Sequence, residues 1–270
     1  MTALRLQLRA TPDERLDLSP LTPSRLAGQS PGDIERIAIG TTRTGVRLGD
    51  VFRLHPGDAS AIEIEGGSER FDCVGAGMQA GRLLLDGDAG VRVGRLMSGG
   101  VLEIRGSVGP WAASGLRGGS IEVAGDAGDA LGGPMPGERT GMRGGTVVIR
   151  GDAGARAGEC LRRGLIVVEG GAGRLAAARM VAGTVIVCGR TDGPPGMLMR
   201  RGTLVLGEAV RLPLTFVPTD AGVTVFLRLL AGWVRLLSSR AAQILAKPLD
   251  RFAGDMAALG CGEVLIGGKD

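Results

Sequence analysis

The sequence is poor in the side chains that most often carry chemistry or stack on nucleic-acid bases. It has one histidine, His55, no tyrosine, five phenylalanines and two tryptophans in 270 residues. A single histidine excludes a metal centre built from several histidines, and it leaves one imidazole for any Ser-His-Asp or Cys-His arrangement. The shortage of aromatic rings argues against a platform for single-stranded nucleic acid. We therefore expect no nucleic-acid partner.

Cysteines and long apolar runs are also scarce. The four cysteines form no C-x-x-C pair, and their spacing matches no metal site. Residues 1–16 carry charges throughout and lack the apolar centre of a signal peptide. No uninterrupted apolar stretch is long enough to span a membrane. These features predict a protein of the reducing cytoplasm with no membrane contact.

Glycine, in contrast, is abundant and periodic. The chain has 49 glycines, and seven of them follow one another at steps of 19, 19, 26, 19, 19 and 19 residues. These seven are Gly81, Gly100, Gly119, Gly145, Gly164, Gly183 and Gly202. A short, regular period of this kind is typical of a solenoid, in which each repeat stacks on the one before it.

The residues around each of these glycines fall into columns. The second and fourth positions after the glycine are Leu, Ile or Val, as at Ile166 and Val168, which is the alternation of a short strand with two inward side chains. The third position before it is Met or Leu in every repeat. A glycine usually follows six positions later, often with Asp after it as in Gly151 and Asp152, and this pair suits a tight corner. The pattern predicts an all-β fold, a parallel β-helix of about seven to eight coils.

The single 26-residue step holds seven extra residues near residues 133–138, which include Pro134 and Pro136. An insertion into a solenoid must leave the stack as a loop, and prolines cannot donate ladder hydrogen bonds. Two interpretations stay open. The insertion is either a tolerated surface loop or a docking element for a partner.

The residues on either side of the array do not follow the period. The sequence predicts an N-terminal cap over residues 1–58, the β-helix over 59–207, and a C-terminal cap over 208–270 with an amphipathic helix and a final strand. The apolar face of that helix is predicted from Phe226, Leu229, Leu230, Trp233, Leu236 and Leu237. This face would pack against the open end of the solenoid or dock to another subunit. A helix on a membrane surface would carry more basic residues.

Arginine supplies nearly all of the positive charge. The chain has 32 basic and 28 acidic residues, a net charge of +4, and only two of the basic residues are lysines. Four repeats carry arginine two residues before the reference glycine, namely Arg117, Arg143, Arg162 and Arg200. This column is either a solvated edge that keeps rods apart or a basic stripe for an acidic partner or polyanionic ligand.

The sequence offers no catalytic set. The aspartates that follow glycine are explained as corner residues, and the glycine-rich stretch 75–81 belongs to the repeat and opens no helix, so it does not indicate a dinucleotide site. We therefore predict no catalytic residue, no metal ligand and no cofactor bound by this chain. An independent polysaccharide-active β-helix and a self-assembling structural rod stay open as other classes, and a left-handed acyltransferase helix is disfavoured because its hexapeptide period does not divide 19.

The phrase Gly-Met-x-x-Gly, a strand and then Gly-Asp-Ala-Gly resembles two known families. It is similar to the carboxy-terminal β-helix domain of glutamate synthase and most similar to the C subunit of formylmethanofuran dehydrogenase. The closest matches are residues 141–149, residues 151–154 and the proline-containing loop 131–139. The regular resemblance covers about residues 60–207, and two short C-terminal stretches are also similar.

The resemblance implies a right-handed β-helix without an active site of its own. In methanogens the formylmethanofuran dehydrogenase complex, to which such a C subunit belongs, reduces carbon dioxide and carries tungsten or molybdenum with iron–sulfur clusters. In methylotrophic bacteria a similar complex of four subunits moves formyl from tetrahydromethanopterin to a methanofuran-type carrier and hydrolyses it to formate. The arginine-rich, lysine-poor composition favours the bacterial formyltransferase/hydrolase complex. The alternatives are the C subunit of the tungsten or molybdenum dehydrogenase and a scaffold similar to that of glutamate synthase.

The same resemblance implies particular partners. These would be an amidohydrolase-like subunit, a formyltransferase-like subunit and one further subunit, which would carry the chemistry. A carrier with a glutamate-rich tail is polyanionic. The column Arg117, Arg143, Arg162 and Arg200 would then help to guide it between active sites.

Overall fold

The computed structural model describes residues 2–41, 45–220 and 225–267, and most of the regular structure in them is β. The helices are short: α1 (Pro23–Leu26), α2 (Pro31–Glu35), α3 (Leu48–Val51), α4 (Val225–Val234) and α5 (Ser239–Ala246). The strands are β1 (Ala3–Leu8), β2 (Leu16–Asp17), β3 (Phe52–His55), β4 (Asp58–Glu65), β5 (Phe71–Asp72), β6 (Arg82–Asp86), β7 (Val101–Ile104), β8 (Ser120–Val123), β9 (Arg143–Ile149), β10 (Arg163–Val168), β11 (Thr184–Val187), β12 (Arg201–Leu206), β13 (Val217–Thr219), β14 (Leu249–Gly254) and β15 (Cys261–Gly267).

Within these segments, 13 strands form one large and mostly parallel sheet. Strands β6 to β12 lie side by side in chain order, each parallel to the next. The register keeps equivalent repeat positions opposite one another, so that Ile166 lies between Val147 and Val185. The sheet ends in β13 on one side and β3 on the other, so it does not close on itself. The 19-residue period therefore adds one strand per repeat, and the prediction of an all-β fold is confirmed.

The predicted apolar columns form a continuous core. Ile166 and Val168 of β10 have 0% exposed surface, as do Met142 and Met180, which stand three residues before their glycines. All four belong to one hydrophobic cluster that extends from the first strand to the last. Burying a side chain of this size contributes about 1.5–3 kcal/mol, so repetition of the same contact supplies much of the stability of the stack.

A second row of contacts runs along the corners of the repeats. Single parallel bridges join Ser68, Ala89, Val108, Ala127, Ala153, Ala172 and Thr191 in that order. Beside them, Asp126 Oδ1 accepts the backbone N–H of Asp152 (2.7 Å), and Asp152 Oδ1 accepts that of Gly171 (2.6 Å). The aspartates that follow glycine therefore bind backbone amides. The amides belong to the next repeat, so these side chains also tie successive repeats together.

Left-handed backbone recurs at every second residue between the corner and the strand. In one repeat these residues are Arg156 (φ 62°), Gly158 (φ 73°) and Cys160 (φ 52°). Arg156 N–H donates to Arg174 O of the next repeat, and Gly158 N–H donates to Leu131 O of the previous one, both at 2.8 Å. Positive φ at the first of these positions recurs in six repeats, at Cys73, Arg92, Trp111, Ala130, Arg156 and Leu175. The alternation therefore directs successive N–H groups to opposite neighbours in the stack.

The C-terminal residues extend the sheet by three strands and cover part of its outer face with two helices. Strand β15 pairs in parallel with β12, and β14 and β13 follow it as antiparallel strands. Helices α4 and α5 pack on the outer face of the sheet, opposite the main core. There they form a second hydrophobic cluster with the middle residues of the neighbouring strands. Its sheet side includes Val148, Val167, Ile186, Val205 and Leu265, and its helix side includes Val234, Ala241 and Leu245.

The amphipathic C-terminal helix differs from its prediction in extent and placement. The first helix ends at Val234, and a second helix begins at Ser239. The pair lies across the outer face of the sheet and not against the open end, which β15 occupies. This placement is favoured because the middle strand positions are apolar from β9 onward and offer a broad surface. Four of the six predicted face residues are exposed instead, namely Phe226, Leu229, Trp233 and Leu236.

The N-terminal segment extends the other side of the sheet. Strand β1 pairs in parallel with β4 and antiparallel with β3. Leu4 and Leu6 are buried, as their alternation with polar residues predicts. Ser30 caps α2 by accepting the backbone N–H of Asp33 at 3.3 Å. The first repeat strand is thus covered by chain that does not follow the 19-residue period.

Candidate interaction surfaces

The arginine column is a ladder of neighbouring exposed side chains. Arg117, Arg143 and Arg162 stand on three successive repeats, and one repeat without arginine separates them from Arg200. The backbones are joined rung to rung, as where Arg162 N–H donates to Met142 O at 2.9 Å. Successive rungs of a parallel ladder lie about 4.8 Å apart. Arg117, Arg143 and Arg162 therefore lie on adjacent rungs, and Arg200 follows two rungs beyond Arg162.

Little of the charge of this row is balanced by the chain itself. Glu138 forms its hydrogen bond with Arg95, and its attraction to Arg143 makes only a smaller contribution to lowering the pKa of Glu138. Among the described residues, no carboxylate forms an ion pair with any of the four arginines. Arg143 Nη2 donates to Thr140 Oγ1 at 2.9 Å, and Arg163 and Arg201 are also exposed beside the row. Like charges at about 4 Å repel by ~1 kcal/mol in water. An anion lying along the row would relieve this repulsion at several rungs together.

The proline-containing loop of residues 131–139, called the proline loop, is attached to the neighbouring repeats by an ion pair. Arg95 Nη2 lies 2.8 Å from Glu138 Oε1, and Glu138 Oε2 accepts the backbone N–H of Met135 at 3.2 Å. The hydrogen bond from Arg95 holds the pKa of Glu138 below its ordinary value. Residues 136–139 are exposed. Both interpretations of the loop remain predictions, and its tether gives it a defined position from which to contact a partner.

The helical pair is fixed to the sheet by a polar network centred on Arg150. Arg150 Nη2 donates to Glu122 Oε1 (2.6 Å), and Nη1 donates to Glu169 Oε1 (2.7 Å) and to Leu237 O (3.0 Å). Ser238 Oγ donates to the same Glu169 oxygen and also caps α5 by accepting Ala241 N–H at 3.1 Å. One guanidinium therefore joins Glu122 of β8 and Glu169, which follows β10, to the turn between α4 and α5. Sequence periodicity gives no sign of this network.

His55, Cys73 and Cys188 belong to residue types that often carry chemistry, but here they lie in a strand or in the packed interior. His55 ends β3, where it pairs with Arg5 of β1. Burial raises the pKa of Cys73 to about 11 and that of Cys188 to about 12, so both thiols are protonated near neutral pH.

The described residues contain no group of three or more His, Cys, Asp or Glu side chains that could hold a metal ion. In the same part of the chain, no helix is long and apolar enough to cross a membrane.

Comparison with known proteins shows a likeness over almost the whole chain. No protein-family model matches. The chain is 44% identical over 261 residues to the C subunit of the formyltransferase/hydrolase complex Fhc of Methylorubrum extorquens, covering 97% of this chain and 98% of that protein. It is also similar, with a TM-score of 0.94 and 43% identity, to a chain in the X-ray crystal structure of the formyltransferase/hydrolase complex (FhcABCD) from Methylorubrum extorquens in complex with methylofuran. That match covers 98% of this chain and 100% of the other.

Proposed function

This chain belongs to the family of C subunits of formyltransferase/hydrolase complexes, and we propose that it is the non-catalytic scaffold of such a complex. The observation that carries the proposal is 44% identity over 97% of this chain and 98% of the relative. A match of that extent includes both flanks, so it does not rest on the glycine repeat alone. A TM-score of 0.94 over the full length of the solved chain supports the same proposal.

The complex would move a formyl group from formyl-tetrahydromethanopterin to a methanofuran-type carrier and hydrolyse the formyl carrier to formate. The solved complex of the relative contains methylofuran, which supports a carrier of this type. The chemistry would belong to an amidohydrolase-like and a formyltransferase-like subunit, and one further subunit would complete the assembly. This chain itself would bind no cofactor. Its four free cysteines fit a location in the reducing cytoplasm.

The architecture that serves this role is, we propose, a right-handed parallel β-helix with a cap at each end. The parallel strands at 19-residue intervals and the row of single bridges support two walls of each coil. Residues 1–58, 59–207 and 208–270 would form the N-terminal cap, the β-helix and the C-terminal cap. Such a rod is rigid along its axis because every coil bonds to both neighbours. Rigidity of this kind suits a subunit that holds two active sites at a fixed separation.

Native co-purification tests the scaffold role. The tagged chain, isolated from its own cell extract, is expected to bring down other subunits in fixed proportion, as measured by native mass spectrometry. The complex is expected to release formate from a formylated donor, whereas the chain alone is inactive. Recovery of the chain as a lone monomer, or activity of the purified chain by itself, would contradict the proposal.

The arginine ladder is proposed as a guide for the carrier. Arg117, Arg143, Arg162 and Arg200 are exposed, lie in one row and form no ion pair with a described carboxylate. A flexible chain of carboxylates can exchange from rung to rung of such a row without binding tightly at any of them. Attraction of this type is long-ranged and screened by salt over about 10 Å at 0.1 M. The row would therefore raise the local carrier concentration along the scaffold.

Charge reversal tests the guide. In the assembled complex, the triple change Arg117→Glu, Arg143→Glu and Arg162→Glu is expected to raise the KM for the full carrier by about tenfold at low salt, through loss of electrostatic attraction. The matched control reverses Arg9, Arg25 and Arg53, which are exposed elsewhere. A carrier without its carboxylate tail is expected to be turned over at the same rate by the unaltered complex, the ladder variant and the control variant. Unchanged coupled turnover and unchanged salt dependence in the ladder variant would rule the guide out.

A further inference from the structure

Helix α4 presents a row of large apolar side chains to solvent. Val225 is 72% exposed, Phe226 44%, Leu229 70% and Trp233 58%, and Leu236 just beyond the helix is 83% exposed. Their spacing of three and four residues places them along one side of the helix. These five side chains are called the exposed face of α4.

This face is not needed to hold the helix on the sheet. The opposite side of α4 already packs into the second hydrophobic cluster through Val234, with Leu227 and Leu230 half-buried against it. The exposed face presents apolar surface on the order of 500 Å², which is the size of the largest apolar patch on a typical monomer, and such patches are often functional. A helix that is apolar on two sides is expected where two partners cover it.

The charges beside the face indicate what kind of surface covers it. Arg228 and Arg235 are exposed along its edge, and neither forms an ion pair with a described residue. Residues 225–246 contain three arginines and no acidic residue. Two copies of this chain meeting through α4 would bring these arginines together. A surface with carboxylates around an apolar centre would instead pair with them.

We propose that the exposed face of α4 is the contact surface for another subunit of the complex, one whose matching surface is apolar at its centre and fringed by carboxylates. The proposal rests on the proposed function, because it requires the chain to be part of a hetero-oligomer. Trp233 is its anchor, since tryptophan is among the residue types most enriched in the few positions that carry most of the binding energy of an interface. Arg228 and Arg235 set the orientation of the partner at the edge.

Assembly of paired variants tests this surface. Co-expressed with the other subunits, the double variant Leu229→Ser, Trp233→Ser is expected to bind the rest of the complex at least tenfold more weakly in an interaction titration. The pair Arg228→Glu, Arg235→Glu is expected to weaken assembly mainly at low salt. The control is Leu214→Ser with Leu259→Ser, because these leucines are 94% and 53% exposed outside α4. All variant chains are expected to melt within about 2–3 °C of the parent, since exposed substitutions change stability little.

Each outcome of the titration supports or overturns the inference. Failure of the unaltered chain to bind any other subunit would overturn the proposed function and this inference together. Normal assembly of the α4 variants, or equal losses in the control, would overturn the inference alone. Two further results would assign the face to a different occupant and so overturn it. One is a homodimer of the unaltered chain that the α4 variants abolish, and the other is binding to phosphatidylglycerol vesicles that they abolish.

Discussion

Replacing Gly164 with alanine is expected to destabilise the chain by about 3 kcal/mol or more in denaturant unfolding. Gly164 has φ +107°, which an L residue rarely adopts. A Cβ at this position would lie 2.7 Å from Gly145 O and 2.5 Å from Met142 Cε. The methionine end can move, but the carbonyl is fixed in the ladder between two strands. The substitution therefore combines backbone strain with a clash inside the stack.

The matched control is Gly137→Ala in the proline loop. Gly137 also has a positive φ, +86°, but no heavy atom lies within 4 Å of its added Cβ. Its cost is expected to be about 1 kcal/mol, from backbone strain alone. The difference between the two variants measures the close approach of neighbouring repeats. Equal losses of unfolding free energy in the two variants would mean that glycine is needed in the column for its positive φ and not for the close approach of neighbouring repeats.

The glycine period and the strand columns can be predicted because both follow from local sterics repeated many times. Each repeat places apolar side chains at the same two strand positions, and the register carries each onto its equivalent, as Ile166 onto Val185. A single ambiguous strand would be a weak prediction. Seven of them in phase leave one arrangement that buries all of the apolar columns, and the core follows it from end to end.

The positive φ angles at every second residue between the corner and the strand cannot be predicted in the same way. Trp111 (φ 59°) and Leu175 (φ 65°) adopt a conformation that their own side chains disfavour. They do so because their N–H groups must reach the neighbouring repeat, as Trp111 N–H reaches Asp129 O at 2.8 Å. This conformation is imposed by contacts with the next repeat, which no local propensity contains. Glycine appears at only some of these positions, so its column is incomplete in the sequence.

The strands of the repeats, and not the helix pattern itself, carry a sequence signal for where the helical pair packs. The middle strand position is charged at Glu103 and Glu122 but apolar at Val148 and Val167 and in the repeats after them. An outward position that becomes apolar at β9 indicates that something covers the sheet from there on. The helices lie on this surface. Periodicity also locates the arginine ladder, whereas the partners of Arg150 can only come from the structure.

Replacing Arg150 with leucine is expected to loosen the helical pair from the sheet and to cost about 2–3 kcal/mol. The change leaves the Glu169 carboxylate, whose side chain is 18% exposed, with Ser238 as its remaining described side-chain partner. The cost is set below that of a fully buried pair because the Arg150 side chain is 32% exposed. Hydrogen exchange over residues 225–246 is expected to speed up more than exchange in the inner strands. Denaturant unfolding gives the total loss.

Arg82→Leu is the control that separates this network from an ordinary ion pair between neighbouring strands. Arg82 lies 2.8 Å from Glu103, and their side chains are 59% and 30% exposed. Its loss is expected to cost less than ~1 kcal/mol, because solvent screens the pair. Arg150→Leu is also expected to weaken assembly with the other subunits, since the exposed face of α4 is positioned through this anchor. Equal and small effects in both variants would mean that the apolar cluster alone holds the helices, and that the polar network contributes little to presenting α4.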